Sequence, residues 1–178
     1  HLVLQTDSRQ FIFRDPRMFG SARLFKKSEV EKFWSQLPPQ PHQKTFTVEI
    51  LNEALQRHSR SPIKSLLLNQ SYFPGIGNWM ADEILWKMRL SPTILAGKIS
   101  HQRTVSKLWK TIQWVSQEAV RIIPKNMDGL PQSWLFHHRW GKLGKCPKTN
   151  KALSRVSIGG RSAIWSPSWQ NKYDHLLC

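Results

Sequence analysis

Residues 65–85 place an apolar stretch, Leu66-Leu67-Leu68, ahead of Pro74-Gly75-Ile76-Gly77 and a second amphipathic run that opens at Asn78. A proline followed by two nearby glycines cannot be threaded through a continuous helix, so the segment is confined to helix, turn, helix. Gly75 and Gly77 can take positive backbone dihedrals and let the chain approach a ligand closely. A helix opening near Asn78 points unpaired N–H groups and the positive end of its dipole at whatever lies before it. The chemistry of such a turn favours an anion.

The nature of that anion follows from charge. The chain has 178 residues with 27 Lys and Arg against 11 Asp and Glu, a formal net charge of +16. Hydrophobic residues make up 39%, which is too many for a disordered basic tail, and the cations are spread along the chain instead of gathered in one block. Spread cations can simply solvate a surface, but this excess together with nine Trp favours nucleic-acid phosphate. No apolar run approaches the ~18 residues of a membrane span, and no signal peptide is visible. A soluble, intracellular protein is expected. Cys146 and Cys178 make no disulfide framework and fit a reducing compartment.

Along the chain, Leu2-Val3-Leu4-Gln5-Thr6 alternates, turns at Asp7-Ser8-Arg9 and resumes at Phe11-Ile12-Phe13, the pattern of a hairpin cut from a larger sheet. A short strand is expected at Ala22 to Phe25, and Ser28 with Glu31 has the spacing of a capping box. Leu37-Pro38-Pro39-Gln40-Pro41 breaks the chain as a linker. Helices are expected at about Phe46 to His58, Pro62 to Gln70 with Ser61 as cap, Asn78 to Met88 and Ser100 to Ile123. Toward the end, Leu153, Arg155, Val156 and Ile158 precede Gly159-Gly160, which predicts a β-hairpin. The fold class expected is α+β.

Asp15-Pro16-Arg17-Met18-Phe19-Gly20, the Pro62-to-Trp86 segment and the Gly159-Gly160-Arg161-Ser162 hairpin, in that order, resemble the formamidopyrimidine and endonuclease VIII family of DNA glycosylases over nearly the whole chain. The resemblance implies three parts: the end of an amino-terminal β-sandwich with a void-filling loop (1–25), a helix-two-turn-helix DNA-binding domain (26–130), and a β-hairpin finger (131–178). It implies a base-excision repair glycosylase and AP lyase acting on oxidised purines. The alternatives are a non-catalytic damaged-DNA-binding paralogue and an RNA-binding protein with a helix-two-turn-helix.

An enzyme acting on a base within a duplex must extrude it and fill the gap. Arg17 offers a fork of donors to the orphaned base and Phe19 a wedge between base steps. Phe19 as a core residue and Arg17 paired with Asp15 would be the plain structural reading. The family commonly has a second Arg where Met18 stands. Phosphate contacts are assigned to Lys64, Gly75, Gly77, Asn78 and Arg161. Asp82 and Glu83 are expected to support the helix start, not to catalyse.

Many family members hold a tetrahedral zinc with two Cys pairs, whereas the matching positions here are Cys146, Thr149, Ser166 and Trp169. One thiolate of four cannot complete such a site, so the chain resembles the zincless-finger branch, with Trp165 and Trp169 packing where the metal would be. His137 and His138 are expected at the surface or facing phosphate. The family's proline nucleophile, adjacent glutamate and catalytic lysine belong to an amino-terminal domain, and no catalytic residue is expected within this chain, which starts at His1. No cofactor and no metal are expected. The expected partner is double-stranded damaged DNA, bound by a monomer with no membrane involved, in the cytoplasm or nucleoid of a bacterium or the nucleus of a eukaryote.

Overall fold

The structure is a computed structural model that describes residues 2–16, 20–142 and 144–171. Arg17, Met18 and Phe19, the expected void-filling residues, lie outside the described residues, as does Cys178. The chain divides into two compact units, His1–Leu37 and Pro38–Cys178, and the division falls at the proline-rich break.

In the first unit, β1 (Leu2–Gln5) pairs antiparallel with β2 (Gln10–Phe13) in the register Leu2 to Phe13 and Gln5 to Gln10. Thr6 closes the turn: its N–H donates to the Arg9 carbonyl (2.8 Å) and its Oγ1 accepts from the Arg9 N–H (3.1 Å). Both faces of this ribbon are exposed, including Leu4, Phe11 and Ile12. Ala22 to Phe25 is irregular, not the expected strand. Helix α1 (Lys27–Ser35) starts two residues earlier than a Ser28 cap would allow. The Glu29 carboxylate accepts from the Lys26 N–H at 2.8 Å, one half of a capping box placed two residues before the expected Ser28–Glu31 pair; the Lys26 side chain has no acceptor to make the other half.

The second unit is built on α2 (Val48–Arg57), α3 (Ile63–Leu67), α4 (Asn78–Met88) and α5 (Gln102–Ile122). Apolar residues at three- and four-residue spacing bury one stripe of α2 (Leu51 and Leu55) and of α5 (Leu108, Ile112 and Val115), whereas α4 is buried on nearly every side, from Met80 through Trp86 and at Met88. Short α3 contributes Ile63, Leu66 and Leu67, and Phe73 and Ile76 of the following turn complete the core. α4 has the bounds the sequence predicts. α3 is shorter than expected, because the chain leaves the helix after Leu67 to begin the turn.

The last segment folds as β3 (Ser154–Ile158) and β4 (Arg161–Trp165), paired antiparallel with Ile158 opposite Arg161. Gly159 (φ 55°) and Gly160 (φ 72°) form the two-residue turn, the backbone twist that hairpins of this length require. This hairpin belongs to the same compact unit as the helices, with β4 against α4. A second, smaller core of Trp86, Leu135, Cys146, Leu153 and Ile164, with Trp169 packed on it, joins them.

Candidate nucleic-acid interface

The turn between α3 and α4 is clamped from within. The Gln70 side chain accepts from the Gly75 N–H at 2.9 Å through Oε1 and donates to the Ile76 carbonyl at 3.0 Å through Nε2. Gly75 sits at φ 85°, a conformation that a β-carbon would strain. Gly77 then precedes α4 in extended backbone, and among the described residues no side chain caps the helix's first N–H groups. An uncapped eleven-residue helix with Asn78 at its first position therefore presents donors and a positive dipole end outward.

The β3–β4 tip meets this turn. A β-carbon on Gly159 would lie 2.9 Å from the Ser65 Oγ of α3, so the tip approaches the helix more closely than any other residue type allows. Asn78 Nδ2 lies 3.4 Å from Ser162 Oγ, one residue after the tip. Arg161, exposed at the tip, and the open end of α4 thus share one surface.

Beneath that surface lies a buried ionic knot. Asp82, 1% exposed, accepts from Lys64 Nζ (2.5 Å) through one oxygen, and from Arg139 Nη2 (2.6 Å) and the Ile164 N–H (3.1 Å) through the other. Lys64 Nζ also donates to the Asn78 carbonyl at 2.7 Å. One carboxylate therefore ties α3, α4, the Arg139 loop and β4 together. Burial pulls the Lys64 ammonium down from its ordinary pKa, and Asp82 beside it acts in the opposite direction. Next to it, Glu83 accepts from the Phe136 N–H (3.0 Å) and pairs with Lys87 (3.1 Å); burial pushes its carboxyl up, opposed by Lys87.

The expectation that Lys64 reaches a phosphate is corrected here. Its side chain is fully buried and its ammonium is bonded to Asp82 and Asn78, so it shapes the turn from behind and presents no charge to a ligand. Asp82 and Glu83 are structural anchors, as the sequence suggested, though their partners are distant in the chain and not the helix dipole alone. His137 and His138 are half-buried, each with Nε2 near a backbone carbonyl, of Leu130 (2.8 Å) and Gln132 (3.3 Å). Gln70, Arg139 and Ser162 are interface-building residues that sequence reasoning missed. A glutamine five residues before a turn glycine was the one local signal; Arg139 and Ser162 act across 57 and 84 residues, with no local mark.

At the four finger positions, Trp86 Nε1 donates to Cys146 Sγ (3.4 Å), Thr149 Oγ1 and Ser166 Oγ each lie within bonding distance of Ser168 Oγ (2.7 and 3.2 Å), and Trp169 Nε1 donates to the Trp86 carbonyl (3.1 Å). The Arg89 guanidinium lies 3.7 Å from the centre of the Trp169 ring. A thiol, two hydroxyls and an indole do not fit a tetrahedral zinc, whose protein ligands are thiolate, imidazole or carboxylate. Burial raises the Cys146 thiol pKa, but hydrogen bonds from Ser166, Trp86, Thr149 and the Lys148 backbone outweigh it and bring it down to about 7.

Mixed α/β architecture with a helix-two-turn-helix at its centre defines the class. The family described as formamidopyrimidine-DNA glycosylase H2TH domain matches residues 37–127, and the chain belongs to the formamidopyrimidine-DNA glycosylase family. It is 32% identical over 167 residues to a formamidopyrimidine-DNA glycosylase of Arabidopsis thaliana, covering 94% of this chain and 42% of that protein. It is likewise 32% identical over 181 residues to one of Exiguobacterium sibiricum, covering 96% and 65%. The chain thus spans about two fifths to two thirds of the length of these curated relatives. The crystal structure of MutM (Fpg) from Thermus thermophilus superposes with a TM-score of 0.74 at 30% identity, covering 95% of this chain and 67% of that one. Lactococcus lactis Fpg, solved non-covalently bound to DNA containing an AP site, superposes at 0.78 with 24% identity, 96% and 64% covered, a likeness of fold.

Proposed function

We propose that this chain is the DNA-gripping portion of a base-excision repair glycosylase and AP lyase acting on oxidised purines in duplex DNA, within the cell compartment that holds the DNA. The observation that carries this reading is the meeting of the α3–α4 turn with the β3–β4 tip. A helix end rich in free N–H groups and an exposed arginine on a glycine turn form one basic surface, suited to backbone phosphates on either side of a lesion. Gly75, Gly77 and Asn78 supply the turn's contact and Arg161 the finger's.

Arg17 and Phe19 would occupy the gap left by an extruded base, and the β1–β2 ribbon would be the end of the β-sandwich. The finger would be zincless, held by Trp169 and the small core below it, with Trp165 at the end of β4. No residue of this chain is assigned a covalent step, and the double-stranded damaged DNA partner would be bound by a monomer.

Two measurements on the purified chain test the reading. Fluorescence anisotropy should show binding to an abasic-site duplex that weakens steeply with salt. Borohydride should trap no covalent adduct with the same duplex. Failure to bind any duplex would contradict the grip, and a trapped adduct would place a reactive amine in this chain.

A further inference from the structure

Helix α5 carries a second basic face that the interface above does not use. Between Glu83 and Glu118 the sequence has no acidic residue, while Lys87, Arg89, Lys98, Arg103, Lys107 and Lys110 all fall within it. Arg103, Lys107 and Lys110 recur at four- and three-residue spacing and so share one side of α5. All three are exposed, and none forms an ion pair among the described residues. They line a concavity of about 600 Å³ with His101, Gln102 and Ser106, and Arg103 and Lys107 also border a neighbouring one of about 340 Å³ with Met88 and Thr104.

This face is separated from the phosphate-gripping turn by the length of the helix. The turn lies against the other end of α5, where Pro74, Gly75 and Met80 line a common hollow with Ala119 and Ile123. At about 1.5 Å per residue, Arg103 is roughly 24 Å along the helix from Ala119. Those 16 residues also turn the helix by about 160°, at 3.6 residues per turn, so Arg103 and Ala119 lie on nearly opposite sides of it. Unpaired like charges held side by side repel one another and are relieved by a polyanion, and counterion release makes a phosphate backbone the fitting one.

We propose that the amino-terminal half of α5 is a second nucleic-acid contact, holding backbone phosphates of a DNA segment beyond the one gripped at the turn. It rests on the proposed DNA-binding function and adds a sequence-independent contact outside the lesion site.

The test compares the full chain with its Arg103→Ala/Lys107→Ala/Lys110→Ala variant on abasic-site duplexes of about 12 and about 40 base pairs, with a Lys26→Ala/Lys27→Ala/Lys32→Ala variant as a control for net charge. On the long duplex the α5 variant should lower the magnitude of the log K against log salt slope by up to about 2.7, about 0.9 for each phosphate lost. On the short duplex it should bind like the unmodified chain, and the control should lose less on the long one. Equal losses for the two variants, or an unchanged slope on the long duplex, would overturn the proposal. So would an α5 variant that loses affinity for structured RNA or an acidic protein while keeping it for the long duplex. If the unmodified chain bound neither duplex, the proposed function itself would fail instead.

Discussion

The helical part of the second unit and its terminal hairpin are stabilised in opposite ways. The helices bury a broad apolar core running from Phe46 to Phe136, whereas the hairpin rests on five buried residues with Trp169 packed against them. A small core of that kind gives little independent stability. What fixes the hairpin on the helices is polar and directional: Asp82 to the Ile164 N–H, Arg139 to Asp82, and Gly159 seated against Ser65. The large core makes the turn rigid, and the ionic knot sets where the arginine of the tip stands relative to it.

The largest effect expected is therefore at Asp82. Asp82→Ala leaves the Lys64 and Arg139 cations buried without their anion, and breaking a buried pair in this way costs about 3–5 kcal/mol. Chemical denaturation should register that loss, with Asp82→Asn recovering part of it; a loss below about 1 kcal/mol would mean that the knot does not hold the two regions together. Next is Gly159→Ala, which forces a β-carbon into a left-handed conformation and against Ser65, for about 1–2 kcal/mol and a weakened grip on duplex. Equal stability and affinity would show that the tip need not touch α3.

The same contrast separates what is legible in the sequence from what is not. α4 was legible to its bounds because Gly77, Asn78 and the apolar spacing through Met88 are local signals, and the Gly159-Gly160 turn declared its hairpin in the same way. The role of Lys64 is not legible, for the converse reason. A lysine at a helix start is ordinarily solvated, and nothing nearby indicates that Asp82, 18 residues on, will hold it inside. The Glu29 bond to the Lys26 N–H stands in place of the expected Ser28–Glu31 box because the helix begins at Lys27, which puts Ser28 inside it. Expected helix ends elsewhere ran about one to three residues long, where the chain frays into turns.

Smaller effects sharpen the contrast on the finger side. The Cys146 thiol, with its pKa brought down to about 7 in the folded chain from 9.0, contributes stability that is fully present above pH 9 and lost as pH falls through 7. The melting temperature relative to Cys146→Ser should accordingly rise between those two pH values; a flat difference would mean that its hydrogen bonds do not favour thiolate. Under the proposed zincless finger, a strong chelator should leave the melt unmoved and elemental analysis should find no stoichiometric zinc. One zinc per chain would redirect attention to Cys146, His137 and His138.

The claim on which the rest depends is that the hairpin tip and the helix-two-turn-helix act as one phosphate grip. The direct measurement is the salt dependence of duplex binding by Arg161→Ala, with folding checked by circular dichroism. Removing one phosphate contact should lower the magnitude of the log K against log salt slope by about 0.9 and weaken all sequences alike. An unchanged slope in a folded variant would show that Arg161 does not touch the backbone, and the tip would then be packing without a grip.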